Sequence, residues 1–161
     1  MCDICRGIEM GMSGEEATAS FIDSLRTTID LYGLALTGAA DAEVPYMYTV
    51  GRHERGLPEL LITGLDVPRM AAILTNADDL TLTPGTRVDG LIETRPGGGV
   101  RPQLGVLEID PDAADMVVAR TMMGPDMTAL QLTWPDPQNR FPDEYDWDYE
   151  WPQPVYPLVK S

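Results

Sequence analysis

The run YMYTVGRHERGLPELLITG, Tyr46 to Gly64, decides the fold. Its two ends, Tyr46 to Gly51 and Glu59 to Gly64, have the β-branched and aromatic content of strands, and the intervening Arg52 to Pro58 supplies the glycine and proline of a connection. The pair reads as a hairpin. In its second arm strand alternation puts Leu60 and Ile62 on one face and Leu61 and Thr63 on the other. Apolar residues on both faces predict a strand covered from both sides, so this hairpin belongs at the centre of a sheet with helices packed on it.

Upstream, Ser13 with Glu16 three residues later forms a capping box, and Phe21, Leu25, Ile29 and Tyr32 make an apolar stripe with Ile22 beside it. Asp23, Arg26, Thr27 and Asp30 face away, and Gly33 supplies the left-handed stop. Leu34 to Thr37 begins the strands. Downstream, Asp66 caps a short helix with Pro68 in its first turn and Met70, Ile73, Leu74 and Ala77 as the buried stripe.

Thr86 to Glu93 and Gln103 to Ile109 read as strands around the glycine tip Gly97 to Gly99. Asp110 followed by Pro111 predicts a third helix ending at Gly124, with Met116, Val117 and Met123 inward, and Thr128 to Trp134 a last strand. The expected plan is a single α+β domain, a mostly antiparallel sheet with about three packed helices. Residues 1–12 form an N-terminal arm, 13–134 the domain, and 135–161 an acidic aromatic tail packed on the domain.

Three stretches carry a resemblance: Tyr48-Thr49-Val50-Gly51; Gly56-Leu57-Pro58-Glu59-Leu60 running to Thr63-Gly64-Leu65; and Leu130-Gln131-Leu132 closing on Trp134-Pro135-Asp136 with Arg140-Phe141-Pro142. In that order they resemble the small bacterial proteins of domain-of-unknown-function family 4262. The likeness runs from the first helix to Gln153-Pro154 and implies a fold without an established activity. Relatives open on a CxxC pair, as Cys2 and Cys5 do here, and often continue Phe-Pro-Trp where this chain has Phe141-Pro142-Asp143. A fainter likeness, a YTxG strand leading into a Pro-Glu-Leu strand, is to the suppressor-of-fused superfamily, some bacterial members of which look like toxin-immunity proteins.

At 161 residues, with 43% hydrophobic and 23% charged side chains, the chain has enough apolar content for a core without disulfides or a structural metal. Lys and Arg total 11 against 26 Asp and Glu, a formal net charge of -15. That balance disfavours direct binding to nucleic acid or anionic membranes, whose affinity comes from Lys and Arg clusters; charge of this size serves first to keep a protein soluble, and a basic protein partner is the more specific reading. The two cysteines at one end of the chain, with no secretory leader and no long apolar run, point to the cytoplasm.

Cys2 and Cys5 have the spacing of half a zinc site, and completing it requires His53 with a carboxylate, or a second subunit. Without those partners the pair has no role or packs at the chain end, and a redox role, which needs a helix N-terminus directly after the pair, meets a first helix that begins only at Ser13. His53, the sole histidine, lies on the hairpin connection, where an imidazole serves as base or ligand or is simply exposed. Glu59 opens an apolar strand, so its carboxylate is either buried with a raised pKa and paired with Arg52 or Arg55, or turned outward.

In the tail, Asp143 to Trp151 alternates acid and ring, with Tyr145, Trp147, Tyr149 and Trp151 on one side and Asp146 and Asp148 among the acids on the other. Such a segment packs on its own sheet or holds a basic partner. The leading expectation is a non-enzymatic binding or regulatory module, of immunity type at its most specific. The alternative is a small metal-assisted hydrolase using Cys2, Cys5, His53 and Glu59.

Overall fold

A computed structural model describes residues 8–91, 103–142 and 152–158. Its elements are α1 (Gly14–Tyr32), β1 (Ala35–Ala39), β2 (Tyr46–Val50), a 3-10 turn (Arg52–Arg55), β3 (Glu59–Thr63), α2 (Val67–Ala77), β4 (Arg87–Val88), β5 (Leu104–Ile109), α3 (Val117–Met123) and β6 (Ala129–Thr133). The strands form one six-stranded sheet in the order β1-β2-β3-β6-β5-β4. Every neighbouring pair is antiparallel except the central β3 and β6, which run parallel with Leu60 beside Leu130. The fold is α+β, with three helices on a mostly antiparallel sheet.

Strand alternation divides the core. Leu61 of β3 joins Tyr48, Val50, Ala129 and Ile109 under α1 and α3, where Leu25, Ile29 and Ala119 meet them. Leu60 and Ile62, pointing the opposite way, join Leu104, Val106, Leu130 and Leu132 under α2, which contributes Met70, Ile73, Leu74 and Ala77. The hairpin therefore sits inside the sheet and all five residues of β3 are buried, as its two apolar faces predict. Fully burying aliphatic side chains of this size contributes about 1.5–3 kcal/mol each, which makes this strand, with the equally buried β6 beside it, the centre of the core.

Amide exchange should accordingly be slowest at Leu60 to Thr63, opening only with the whole molecule, and much faster at the two-residue β4. Comparable rates in the two segments would remove β3 from the cooperative core.

Local signals set the helix ends. At α1 the Ser13 hydroxyl accepts from the Glu16 N–H, the Glu16 carboxylate accepts from the Ser13 N–H, and Gly33 closes the helix at φ 77°. The Asp66 carboxylate accepts from the Arg69 N–H at the start of α2.

Three expectations are corrected. Tyr32, in the last turn of α1, is not part of the inward stripe but is exposed. The helix expected from Asp110 starts only at Val117: Asp110 accepts from the Asp112 N–H in a local turn, and Asp115 at φ 51° interrupts helical geometry. Val117 then points outward, while Met116 is buried. Of the strand expected at Thr86 to Glu93, the described residues 86–91 form a strand only at Arg87 and Val88, and the rest of that range, with Gly97 to Gly99, lies outside the described residues.

Residues 152–158 cross the sheet end beside β3, β6 and β5. The Gln153 side chain accepts from the Trp134 N–H and donates to the Trp134 carbonyl, both at 2.8 Å, as a backbone neighbour would. Gln131 donates to the Pro154 carbonyl and accepts from the Tyr156 N–H, and Pro157 bridges to Ile109. Among the described residues no helix is long and apolar enough to cross a membrane.

Candidate functional site at the polar knot around Glu59

The chain between β2 and β3 must reverse within a few residues beneath α1. Gly51 does this at φ 116°, and a Cβ there would stand 3.0 Å from the Ile29 side chain, so the position combines positive φ with close packing. One 3-10 turn follows. Its free N–H groups need acceptors, and the chain supplies them from the first residue of the next strand.

Glu59 is 0% exposed. One carboxylate oxygen accepts from the Thr49 hydroxyl at 2.5 Å, and the other accepts from the N–H groups of Gly51 at 2.9 Å and His53 at 3.0 Å. The Thr49 hydroxyl in turn accepts from the Leu60 N–H at 2.8 Å. Burial pushes the Glu59 pKa up from its ordinary 4.5, and the bonds from Thr49 and the turn oppose that shift by favouring the anion. The carboxylate is thus an acceptor built into the hairpin, filled on both oxygens by the chain itself.

The remaining charges of the turn are also engaged. Arg52, 1% exposed, donates from Nε to the Pro58 carbonyl at 2.7 Å and from Nη1 to both the carbonyl and the carboxylate of Asp78 at the end of α2. Arg55 donates to the same Asp78 oxygen from a more exposed position. Glu54 accepts from both terminal nitrogens of Arg26 on α1. The expected pairing of Arg52 or Arg55 with Glu59 is therefore corrected: both arginines go to Asp78, since Glu59 faces the backbone donors of its own loop.

His53 reaches Glu59 through its main-chain N–H, and its half-buried ring enters none of these bonds. Cys2, Cys5, Tyr145, Trp147, Tyr149, Trp151, Asp146 and Asp148 lie outside the described residues. Among the described residues no group of three or more His, Cys, Asp and Glu could hold a metal ion. A depression of about 160 Å³ lies elsewhere, beside α3, lined by Pro111, Asp112, Asp115, Met116 and Arg120 among others. Near it the Tyr48 hydroxyl accepts from the Val118 N–H, and burial pushes its pKa up to about 12, so it stays a neutral phenol.

Sequence reasoning found Glu59 from its place at the head of an apolar strand and missed Thr49, Arg26 and Asp78. Thr49 was recoverable by counting the hairpin register, since Tyr48 faces Leu61 and Thr49 then stands opposite Leu60. Asp78, twenty-six residues from Arg52, left no local signal.

The profile of a family described as a domain of unknown function, DUF4262, matches residues 28–148. No curated protein and no solved structure matches the chain.

Proposed function

The chain belongs to the DUF4262 family, and from that premise we propose that it is a non-enzymatic binding module that holds a basic protein partner in the cytoplasm, in the manner of an immunity protein. The observation that carries the reading is the filled acceptor set of Glu59. A general base must reach the proton it removes, whereas this carboxylate is fully buried and already accepts from Thr49, Gly51 and His53. Arg52, Arg55 and Glu54 are likewise committed to partners that tie the turn to α1 and α2. Of the groups suited to chemistry, Glu59 is spent on architecture, and the His53 ring stands apart from it without a second catalytic group in these bonds. A high negative charge, formally -15 over the chain, is then the property best suited to act on another molecule.

Attraction of that kind is screened by salt. Affinity capture from the native host should retain a basic protein at low salt and release it at about 0.5 M salt, where the screening length falls to a few ångström. Changing Asp146 and Asp148 to their amides should weaken retention, and changing Tyr145, Trp147, Tyr149 and Trp151 to Ser should abolish it. The same bound proteins from all three forms at both salt levels would overturn the reading. So would stoichiometric zinc on Cys2 and Cys5 together with catalytic turnover.

A further inference from the structure

The sheet has two unlike edges. One is β4, two residues long, where Arg87 stacks its guanidinium over the Phe141 ring at 3.8 Å. Short length and a charged side chain are how proteins discourage pairing at an edge. The other edge is β1, five residues with neither charge nor proline. It lies within Leu31 to Ala40, the longest uncharged run in the chain. Alternate residues of an antiparallel edge strand direct their N–H and C=O groups away from the sheet, so among the described residues β1 presents a row of backbone donors and acceptors with no neighbouring strand on that side. Immediately before it, Leu31 and Tyr32 are 69% and 78% exposed.

We propose that β1 is a self-association edge, where a second copy of this chain adds its own β1 antiparallel to the first and joins two six-stranded sheets into one. Charge selects the occupant. A basic partner gains nothing from an uncharged strand, whereas two copies that each carry -15 repel each other least where their facing segments are uncharged. An antiparallel pair of identical strands is self-complementary about a two-fold axis, the commonest symmetry of homodimers. With the axis at the strand centre, Thr37 stands opposite Thr37 of the second copy, and Ala35 opposite its Ala39. That register sets a hydroxyl pair at the axis and places no charged side chain against another.

The register makes the test specific. Sedimentation equilibrium of the wild-type chain should show a reversible monomer–dimer equilibrium that tightens with added salt, since screening relieves the repulsion between the two anionic bodies. This is the opposite salt response to that of a basic partner. Thr37→Lys places two ammonium groups face to face and should weaken the dimer about tenfold or more, with the thermal unfolding of the monomer nearly unchanged. In a background with Cys2 and Cys5 changed to Ser, Thr37→Cys should form an intermolecular disulfide under mild oxidation, because directly opposed residues of an antiparallel pair lie within disulfide reach. Asp89→Cys, at the opposite edge, should not. A wild-type chain that stays monomeric up to about 0.5 mM overturns the proposal. So does a dimer that survives Thr37→Lys or fails to cross-link through Thr37→Cys.

Discussion

Replacing Glu59 by alanine should lower stability by about 3–5 kcal/mol, a large share of the roughly 5–15 kcal/mol that holds a domain of this size together. The size follows from what is left behind. The Thr49 hydroxyl and the N–H groups of Gly51 and His53 lose their acceptor in a place water does not reach, and each unsatisfied buried group costs about 1–3 kcal/mol before any relaxation. Because the carboxylate also sets the path of the turn, its loss loosens the ties from the turn to Arg26 and Asp78. Glu59→Gln keeps one acceptor oxygen but turns an amide NH2 toward donors, and should cost about 1–3 kcal/mol.

The two proteins should also differ in pH dependence. Burial raises the Glu59 pKa above its ordinary 4.5, so between that value and the folded one the native state holds a proton that the unfolded chain has released. The contribution of Glu59 is complete below 4.5 and declines as pH rises through the folded pKa. The stability gap between wild type and Glu59→Gln should therefore be widest in mild acid and narrow toward neutrality. Urea titrations of both across that range decide it. A gap that widens with pH would mean that the hydrogen bonds outweigh burial and depress the pKa instead.

How far the sequence reveals this arrangement depends on the range of each interaction. The capping box of Ser13 and Glu16 and the cap at Asp66 act within one helical turn, so they are readable and the structure contains them. The opposite faces of Leu60 and Leu61 follow from strand alternation, which is equally local. The start of α3 was misread for an instructive reason. Asp110-Pro111 is a good N-terminal signal, but the same Asp side chain serves a tight turn just as well, and the left-handed Asp115 ends that turn before a helix can propagate. The parallel pairing of β3 with β6 joins residues about seventy positions apart and has no local signature. The same holds at the site. Glu59 is conspicuous as a carboxylate in an apolar strand, whereas its separation from Arg52 depends on where the end of α2 falls in space.

That placement gives the second large effect, a division of labour between two arginines that reach the same oxygen. Arg52 and Arg55 both donate to Oδ1 of Asp78, so proximity alone would rate them equally. Burial separates them: the Arg52 side chain is 1% exposed and that of Arg55 38%, with Asp78 at 16%. For Arg55, solvent screening and the entropy of a long side chain leave little net gain, and Arg55→Ala should cost under about 1 kcal/mol. Arg52 also satisfies the carbonyls of Pro58 and Asp78, and the latter closes α2, where a positive charge meets the negative end of the helix dipole. Arg52→Ala removes all of these donors at once and opens a cavity between the turn and α2, for a cost of about 3–4 kcal/mol. Arg52→Lys keeps the charge but lacks the fork that spans these acceptors, and should recover less than half of the loss. In the double variant the effect of Arg55→Ala should shrink further, because without Arg52 the Asp78 carboxylate becomes hydrated and needs its second partner less. Urea midpoints for the four proteins of that cycle test the argument. If Arg55→Ala proves as costly as Arg52→Ala, the carboxylate bond rather than the buried carbonyls holds the turn to α2.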